Sequence, residues 1–274
     1  METLIEKINH WSSPSQRMAF WWLGQASVIV KMAGKVIYID PYLSPRKKRQ
    51  VPPMLKPEEV TNADFVLCSH DHSDHLDAGA IPGIAAASPQ AIFCVPNPLR
   101  QRVIDLGVPS ERVIGVKADE HQDPPSGVEM GGLKITGVKA KHEFFDPTPE
   151  GDFPYLGYVI EANRCCLYHS GDTLCYEGLL TRLKCFQLTL AFLPINGRDA
   201  VRFRRGCLGN MTFQEAVDLA GELRPQLTVP IHYDMFADNP GDPQLFADYL
   251  TAKYPDLEYW IGPHAETVEV GFAE

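Results

Sequence analysis

No stretch of this chain approaches the roughly 18 consecutive apolar residues that a membrane-spanning helix needs. The segment from Met1 to Arg17 carries charges where a secretory leader needs an apolar stretch. An excess of positive charge is missing too: 25 basic residues stand against 35 acidic ones, a net charge of −10. That balance excludes a broad polyanion-binding surface and argues against nucleic acid as partner. The seven cysteines are odd in number, scattered, and form no C-x-x-C pair, so they read as reduced thiols in a cytoplasmic protein and not as a disulfide framework. There is also no G-x-S-x-G elbow, which removes one familiar route to an activated serine. With 45% hydrophobic and 22% charged residues over 274 positions, the composition is that of a folded globular chain. We read it as one domain over residues 1–274.

What is present is a series of short apolar strands separated by turn residues. Met18–Leu23, Ser27–Met32 and Lys35–Ile39 are broken by Gly24 and by Ala33-Gly34, which predicts a hairpin-rich start. A further strand, Asp64–Cys68, runs directly into the polar segment Ser69–Asp77. Later, Thr212-Phe-Gln-Glu215 is a capping box ahead of an apolar helical stripe, and Asp242-Pro243 opens a second helix over Gln244–Tyr254. Strands over Gln226–Ile231 and Leu257–Ile261 follow those helices, the alternation of a layered α/β chain.

The chain also repeats itself. Trp22-Leu-Gly24, a strand, the turn Ala33-Gly34 and a second strand deliver Asp40; Tyr155-Leu-Gly157, a strand, the turn Asn163-Arg164 and a second strand deliver Gly171-Asp172. Each half then has another strand that ends in polar groups, Asp64–Cys68 before His70 and Leu188–Leu193 before Asn196. The pattern predicts two related halves packed face to face, with their strand-end loops at one shared edge.

His70-Asp-His72-Ser-Asp74-His75 places three of the nine histidines and two carboxylates within six residues, directly after a buried strand. Imidazole with carboxylate suits zinc, manganese or iron, and the lack of a local thiolate disfavours a structural zinc cage. Alternate residues of an extended segment point the same way, so His70 and His72 can grip one ion. Asp74 and His75 can then grip a second. More ligands are needed, and His142, Asp172 and His232 stand at predicted strand ends. His169 is better suited to supporting a ligand than to being one. His10, His121 and His264 have no evident partner and read as surface residues.

The ordered set His70-x-His72-x-Asp74-His75, His142, Asp172 and His232 resembles the metallo-β-lactamase superfamily from about Phe20 onward. The resemblance implies an α/β fold, an αββα sandwich with a binuclear site at one edge. It implies His70, His72 and His142 on one metal, Asp74, His75 and His232 on the other, and Asp172 bridging. Asp40 matches the early strand-end Asp that orders the site without binding metal. Within the superfamily, Trp22-Leu-Gly-Gln25, Leu193-Pro-Ile-Asn196-Gly-Arg198-Asp199, Gly209-Asn210-Met211-Thr212 and Ile231-His232-Tyr233 are similar to the L-ascorbate-6-phosphate lactonase group. That likeness implies a homo-oligomeric lactonase with two divalent ions, manganese favoured and zinc or iron possible.

Two such ions lower the pKa of a shared water from 15.7 to about 7, so a metal-bound hydroxide would be the nucleophile. It would open a small phosphorylated or acidic sugar lactone or ester. Asp74 would move a proton as well as bind metal, Asn196 would donate to a substrate oxygen, and Arg198 would hold the anion. Arg202, Arg204 and Arg205 lie close behind, and Arg46-Lys-Lys-Arg49 is the other basic cluster. Tyr233 is a candidate wall of the pocket. The alternative reading is a phosphodiesterase acting on a small phosphodiester with the same ions. A di-iron redox enzyme would take a carboxylate where this chain has His72.

Overall fold

The computed structural model describes residues 2–118 and 127–272, and its layers follow from the parity of its strands. In β1 (Arg17–Trp22), Met18, Phe20 and Trp22 point to one side and Ala19 and Trp21 to the other, all buried. In β2 (Val28–Met32) and β3 (Lys35–Ile39), Val28, Val30, Ile37 and Ile39 share the first side and Ile29, Val36 and Tyr38 the second. Strands apolar on both faces need cover on both. A second sheet covers one face and helices α1 (Leu4–His10), α2 (Ile81–Ala87) and α3 (Arg100–Asp105) the other.

The first sheet runs β13 (Val268–Gly271), β1, β2, β3, β4 (Phe65–Leu67), β5 (Ile92–Pro96), β6 (Val113–Val116). The second runs β12 (Leu227–Ile231), β11 (Leu190–Pro194), β10 (Cys165–His169), β9 (Leu156–Ala162), β8 (Leu133–Lys139), β7 (Val128–Met130). Its outer face is covered by α4 (Leu179–Leu183), α6 (Phe213–Leu223) and α7 (Pro243–Lys253). The result is the αββα sandwich. Between the sheets, the Phe20 and Phe192 rings meet edge to face with centroids 5.2 Å apart. The short helix α5 (Ala200–Arg204) buries none of its residues.

The two halves are visible in the pairing. Two antiparallel steps, β1 to β2 to β3, are followed by two parallel steps, β3 to β4 to β5. The same order recurs in β8 to β9 to β10 and then β10 to β11 to β12. Parallel neighbours end at the same edge of a sheet, and ligands gather outside those carboxyl ends. Asp40, His70, Asp172, Asn196 and His232 all follow such ends, after β3, β4, β10, β11 and β12.

Both expected helices stand near the expected positions: Thr212 and Glu215 exchange backbone and side-chain hydrogen bonds in a capping box at the start of α6, and the Asp242 side chain accepts from Gln244 N at the start of α7. The predicted strand Leu257–Ile261 is the exception. Only Tyr259 bridges to Thr228, through Glu258 O and Trp260 N. Leu257 and Ile261 pack against the cluster under α6 and α7, and Trp260 meets Phe20 and Trp22, so the segment is held beside β12 by side-chain packing with one bridge in place of a strand's ladder. Among the described residues, no helix is long and apolar enough to cross a membrane.

The seam between the sheets makes a direct prediction. Phe192 is fully buried there, and Phe192→Ala should cost about 3–5 kcal/mol of unfolding free energy. Urea denaturation measures this, and a loss below about 1 kcal/mol would contradict the seam as a principal core.

Candidate metal centre

After β4 the chain passes through Cys68 and Ser69 to His70, then folds into a tight turn in which His75 N and Leu76 N donate to His72 O at 3.0 and 2.8 Å. This turn returns Asp74 and His75 to the strand end. His142, delivered after β8, meets the loop, with ring centroids 5.3 Å from His70 and 5.0 Å from His72. Asp172 arrives from β10 through Gly171, which has φ +57°. A Cβ at Gly171 would stand 2.7 Å from Ser69 Cβ and 2.8 Å from Leu156 O, so the close approach of the two loops requires glycine. His232 follows β12 with φ +63°.

Two groups of possible ligand atoms result, each with its atoms within 4.8 Å of one another: His70, His72, His142 and Asp172, and Asp74, His75 and His232. Asp172 joins them, because one carboxylate oxygen is 3.4 Å from His75 Nε2 and the other is 3.6 Å from His142 Nε2 and 3.1 Å from His232 Nε2.

The donor set fits divalent metal on its own chemistry. His70 Nε2, His75 Nε2 and Asp172 Oδ1 are buried without any hydrogen-bond partner in the protein. Orphaned buried polar atoms are costly, and three of them converging on one point ask for a cation. The opposite ring nitrogens are braced. His75 Nδ1 lies 2.7 Å from Asp40 Oδ2, His142 Nδ1 lies 3.0 Å from Gly209 O, and His70 Nδ1 lies 3.0 Å from Ser69 Oγ. Such partners set which imidazole nitrogen presents its lone pair.

Charge follows the same geometry. Burial drives the imidazole of His70 well below its usual pKa and His142 to about 4, which keeps both neutral as ligands must be. Burial works against ionisation of Asp172, but His232 and His75 outweigh it and hold the carboxyl well below its ordinary range. Burial also disfavours a charged His75, yet Asp172, Asp40 and Asp74 together push it well above its usual value. An imidazole that attracts a proton this strongly is standing where positive charge is wanted.

A cavity of about 340 Å³ opens over the cluster and is lined by His72, Asp74, His142, Asp172 and His232, with Lys48, Arg202, Arg205, Cys207, Leu208, Phe236 and Asn239 as walls. Arg198 and Asn196, expected to touch substrate, are not in that lining. Arg198 donates from both terminal nitrogens to Glu215, at 2.7 and 2.8 Å, tying the loop after β11 to the capping box of α6. The Asn196 amide bonds Asn239 and Asn210, and the Arg202 guanidinium bonds Asn196 O, Asn239 and Asp199. Arg49 is turned inward onto Tyr42 O, Ser44 O and Val51 O, leaving Lys48 of its cluster on the cleft. Tyr233 packs on Trp22 instead of lining the cavity.

His169 supports the site as expected, accepting from Gly171 N and facing Ala26 O. His264 is no free surface residue: it stacks on Trp22 and pairs with Asp234 at 2.6 Å. His10 is exposed beside Glu2, and His121 lies outside the described residues. Lys48 and Arg205 belong to the two basic clusters noted in the sequence, whereas Phe236 and Asn239 come from a loop with no ligand-like spacing and only their convergence on the cavity singles them out.

A two-sheet sandwich flanked by helices, with paired histidine and aspartate groups at its strand ends, is the architecture of metallo-hydrolases. The chain belongs to the β-lactamase superfamily, whose domain model matches residues 35–233. It is similar to UPF0173 metal-dependent hydrolases: 30% identical to that of Cupriavidus necator over 84% of this chain and 78% of that protein, and 28% identical to that of Lawsonia intracellularis over 87% and 93%. Among solved structures, the fold matches Igni18, a metallo hydrolase from Ignicoccus hospitalis, with TM-score 0.72 and 22% identity over 94% of this chain and 100% of that one. With these relatives, the protein is a metal-dependent hydrolase of that superfamily.

The bracing of His75 is testable. Asp40 accepts from Ser69 N, Ser69 Oγ and His75 Nδ1. Asp40→Asn keeps the shape but sets an N–H₂ against His75, favouring the tautomer with the proton on Nε2. Metal affinity, read by competition with a chelating dye, should fall about 10–100-fold with the fold intact; unchanged affinity would show that Asp40 has no hold on the ligand.

Proposed function

We propose that this chain hydrolyses a small anionic lactone or carboxylic ester with two divalent ions, manganese favoured and zinc or iron also compatible with the ligands. The observation that carries the reading is Asp172, shared between two ligand groups on the floor of a cleft with cationic walls. Ions held this way would supply water activated to hydroxide near neutral pH and polarisation of the scissile carbonyl. His70, His72, His142 and Asp172 would hold one, and Asp74, His75, His232 and Asp172 the other.

The remaining work falls to the chain's own groups. Burial disfavours ionised Asp74, but His75 and His232 outweigh it, so the carboxyl lies below its usual range and faces the cleft as an anion. It is placed to take the proton released at the reacting centre. Phe236 and Leu208 supply apolar wall for the body of the substrate. Lys48, 3.6 Å from Asp238, stands at one side, and Arg205 faces the cavity with no ion pair or side-chain hydrogen bond among the described residues. Arg205, and not Arg198, is therefore our candidate for holding a substrate phosphate or carboxylate. The lactonase-like segments around Gln25, Asn196 and His232 support the lactone, and the homo-oligomeric and cytoplasmic expectations belong to the same reading.

Two measurements decide it. Metal analysis after reloading should give two ions per chain, and one or none would end the binuclear reading. Arg205→Ala should lower kcat/KM on a phosphorylated lactone about tenfold, the worth of one exposed charge-assisted contact, and leave its unphosphorylated parent unchanged. Equal losses on both substrates would place the anion elsewhere. Faster turnover of bis-p-nitrophenyl phosphate than of any lactone would favour the phosphodiesterase.

A further inference from the structure

The three ligands of the second group are not braced in the same way. His75 leans on Asp40. Asp74 and His232 both lean on Gln25, a residue 49 positions from one and 207 from the other. The Gln25 side-chain nitrogen donates to Asp74 Oδ2 at 2.8 Å and stands 3.0 Å from His232 Nε2. Its backbone oxygen accepts from His232 N at 3.0 Å, fixing the left-handed turn in which His232 sits. The amide can face Asp74 only by its nitrogen, because its oxygen would bring two acceptors together.

Gln25 is itself held from outside the cluster. It is buried with φ +54°, and its N–H donates to Asp234 Oδ1 at 2.8 Å. The other Asp234 oxygen pairs with His264 at 2.6 Å, and His264 stacks on Trp22, whose indole N–H donates to Gln25 O at 3.0 Å. A left-handed non-glycine residue costs about 1–2 kcal/mol and persists where its surroundings over-determine it. Here three hydrogen bonds to its backbone do so. None of the ligands unique to the first group, His70, His72 and His142, contacts Gln25; they are braced by Ser69 and by Gly209 O where braced at all.

We propose that Gln25 is a positioning residue for the second metal ion alone, orienting Asp74 with its amide and His232 with its carbonyl, and that the Asp234–His264 pair sets its conformation. This rests on the two-ion reading, and its consequence is unequal: loss of the amide loosens one site and spares the other. Free-standing carboxylate rotation at Asp74 is what the amide prevents, since among the described residues it is the hydrogen-bond donor to that side chain.

The test is metal titration of the chelator-treated full chain with cobalt(II), followed by calorimetry and by the visible absorption of the bound ion. Wild type should take up two equivalents. Gln25→Met keeps the length of the side chain and removes the donor; one equivalent should bind as in wild type and the other about 10–100-fold more weakly. His264→Gln, at the outer end of the network, should weaken one equivalent in the same direction by a few fold and spare the other, and it serves if Gln25→Met does not fold. Equal weakening of both equivalents, or none, in whichever variant folds would overturn the proposal. A single equivalent in wild type would instead remove the two-ion reading beneath it, so the two failures are distinguishable.

Discussion

The Asp172 carboxylate is taken out of water where the two sheets meet and is faced by the imidazoles of His75, His142 and His232. A carboxylate buried this deeply is costly unless positive charge compensates it. Much of the surrounding structure supplies that compensation or the means to keep it in place. The first sheet sends the His70 loop, the second sends Asp172 and His232, and the ring nitrogens that face away from the cluster rest on Asp40 and Gly209 O. The site exists because both halves end their parallel strands at one edge.

Bringing ligand side chains from four strand ends, those of β4, β8, β10 and β12, to one point requires the backbone to turn sharply just beyond the sheets. Gln25, Asp40, Gly171 and His232 all take positive φ there. Three of the four carry side chains, and each is secured by hydrogen bonds from its neighbours: Gln25 by Asp234, Asp40 by Ser69 and His75, His232 by Gln25 O. Strain of this kind is concentrated at functional sites, where the surroundings offset it. The sandwich core, anchored by pairs such as Phe20 and Phe192, provides the rigid platform that makes the arrangement possible.

Around the ligand cluster, the arginines differ in whether the protein already holds their guanidinium groups. Arg198 and Arg202 are adjacent in sequence to Arg205 and carry the same charge, yet the first two are locked onto Glu215 and onto Asn196, Asn239 and Asp199. They build the wall on which Arg205 stands. The loop after β11 is thereby joined to α6 through the Glu215 capping box, so the geometry of the cleft depends on a helix start some distance in sequence from any ligand.

Local pattern was enough to read the His70 loop, the strand ends at Asp40, Asp172 and His232, the duplicated halves and the capped helices, because each rests on interactions between residues close in sequence or on strict alternation. The likeness to a known superfamily implied two groups of ligands, and in the structure these side chains gather as His70, His72, His142 and Asp172 and as Asp74, His75 and His232. Leu257–Ile261 packs its apolar side chains on the core yet makes one bridge and no strand, because apolar content shows burial and not whether the backbone finds a ladder to join. The contacts of Arg198, Asn196, His264 and Gln25 are visible only in the tertiary structure. Which arginine faces the cleft, and which amide meets a ligand, depends on partners tens to hundreds of residues away, and no local spacing carries that information.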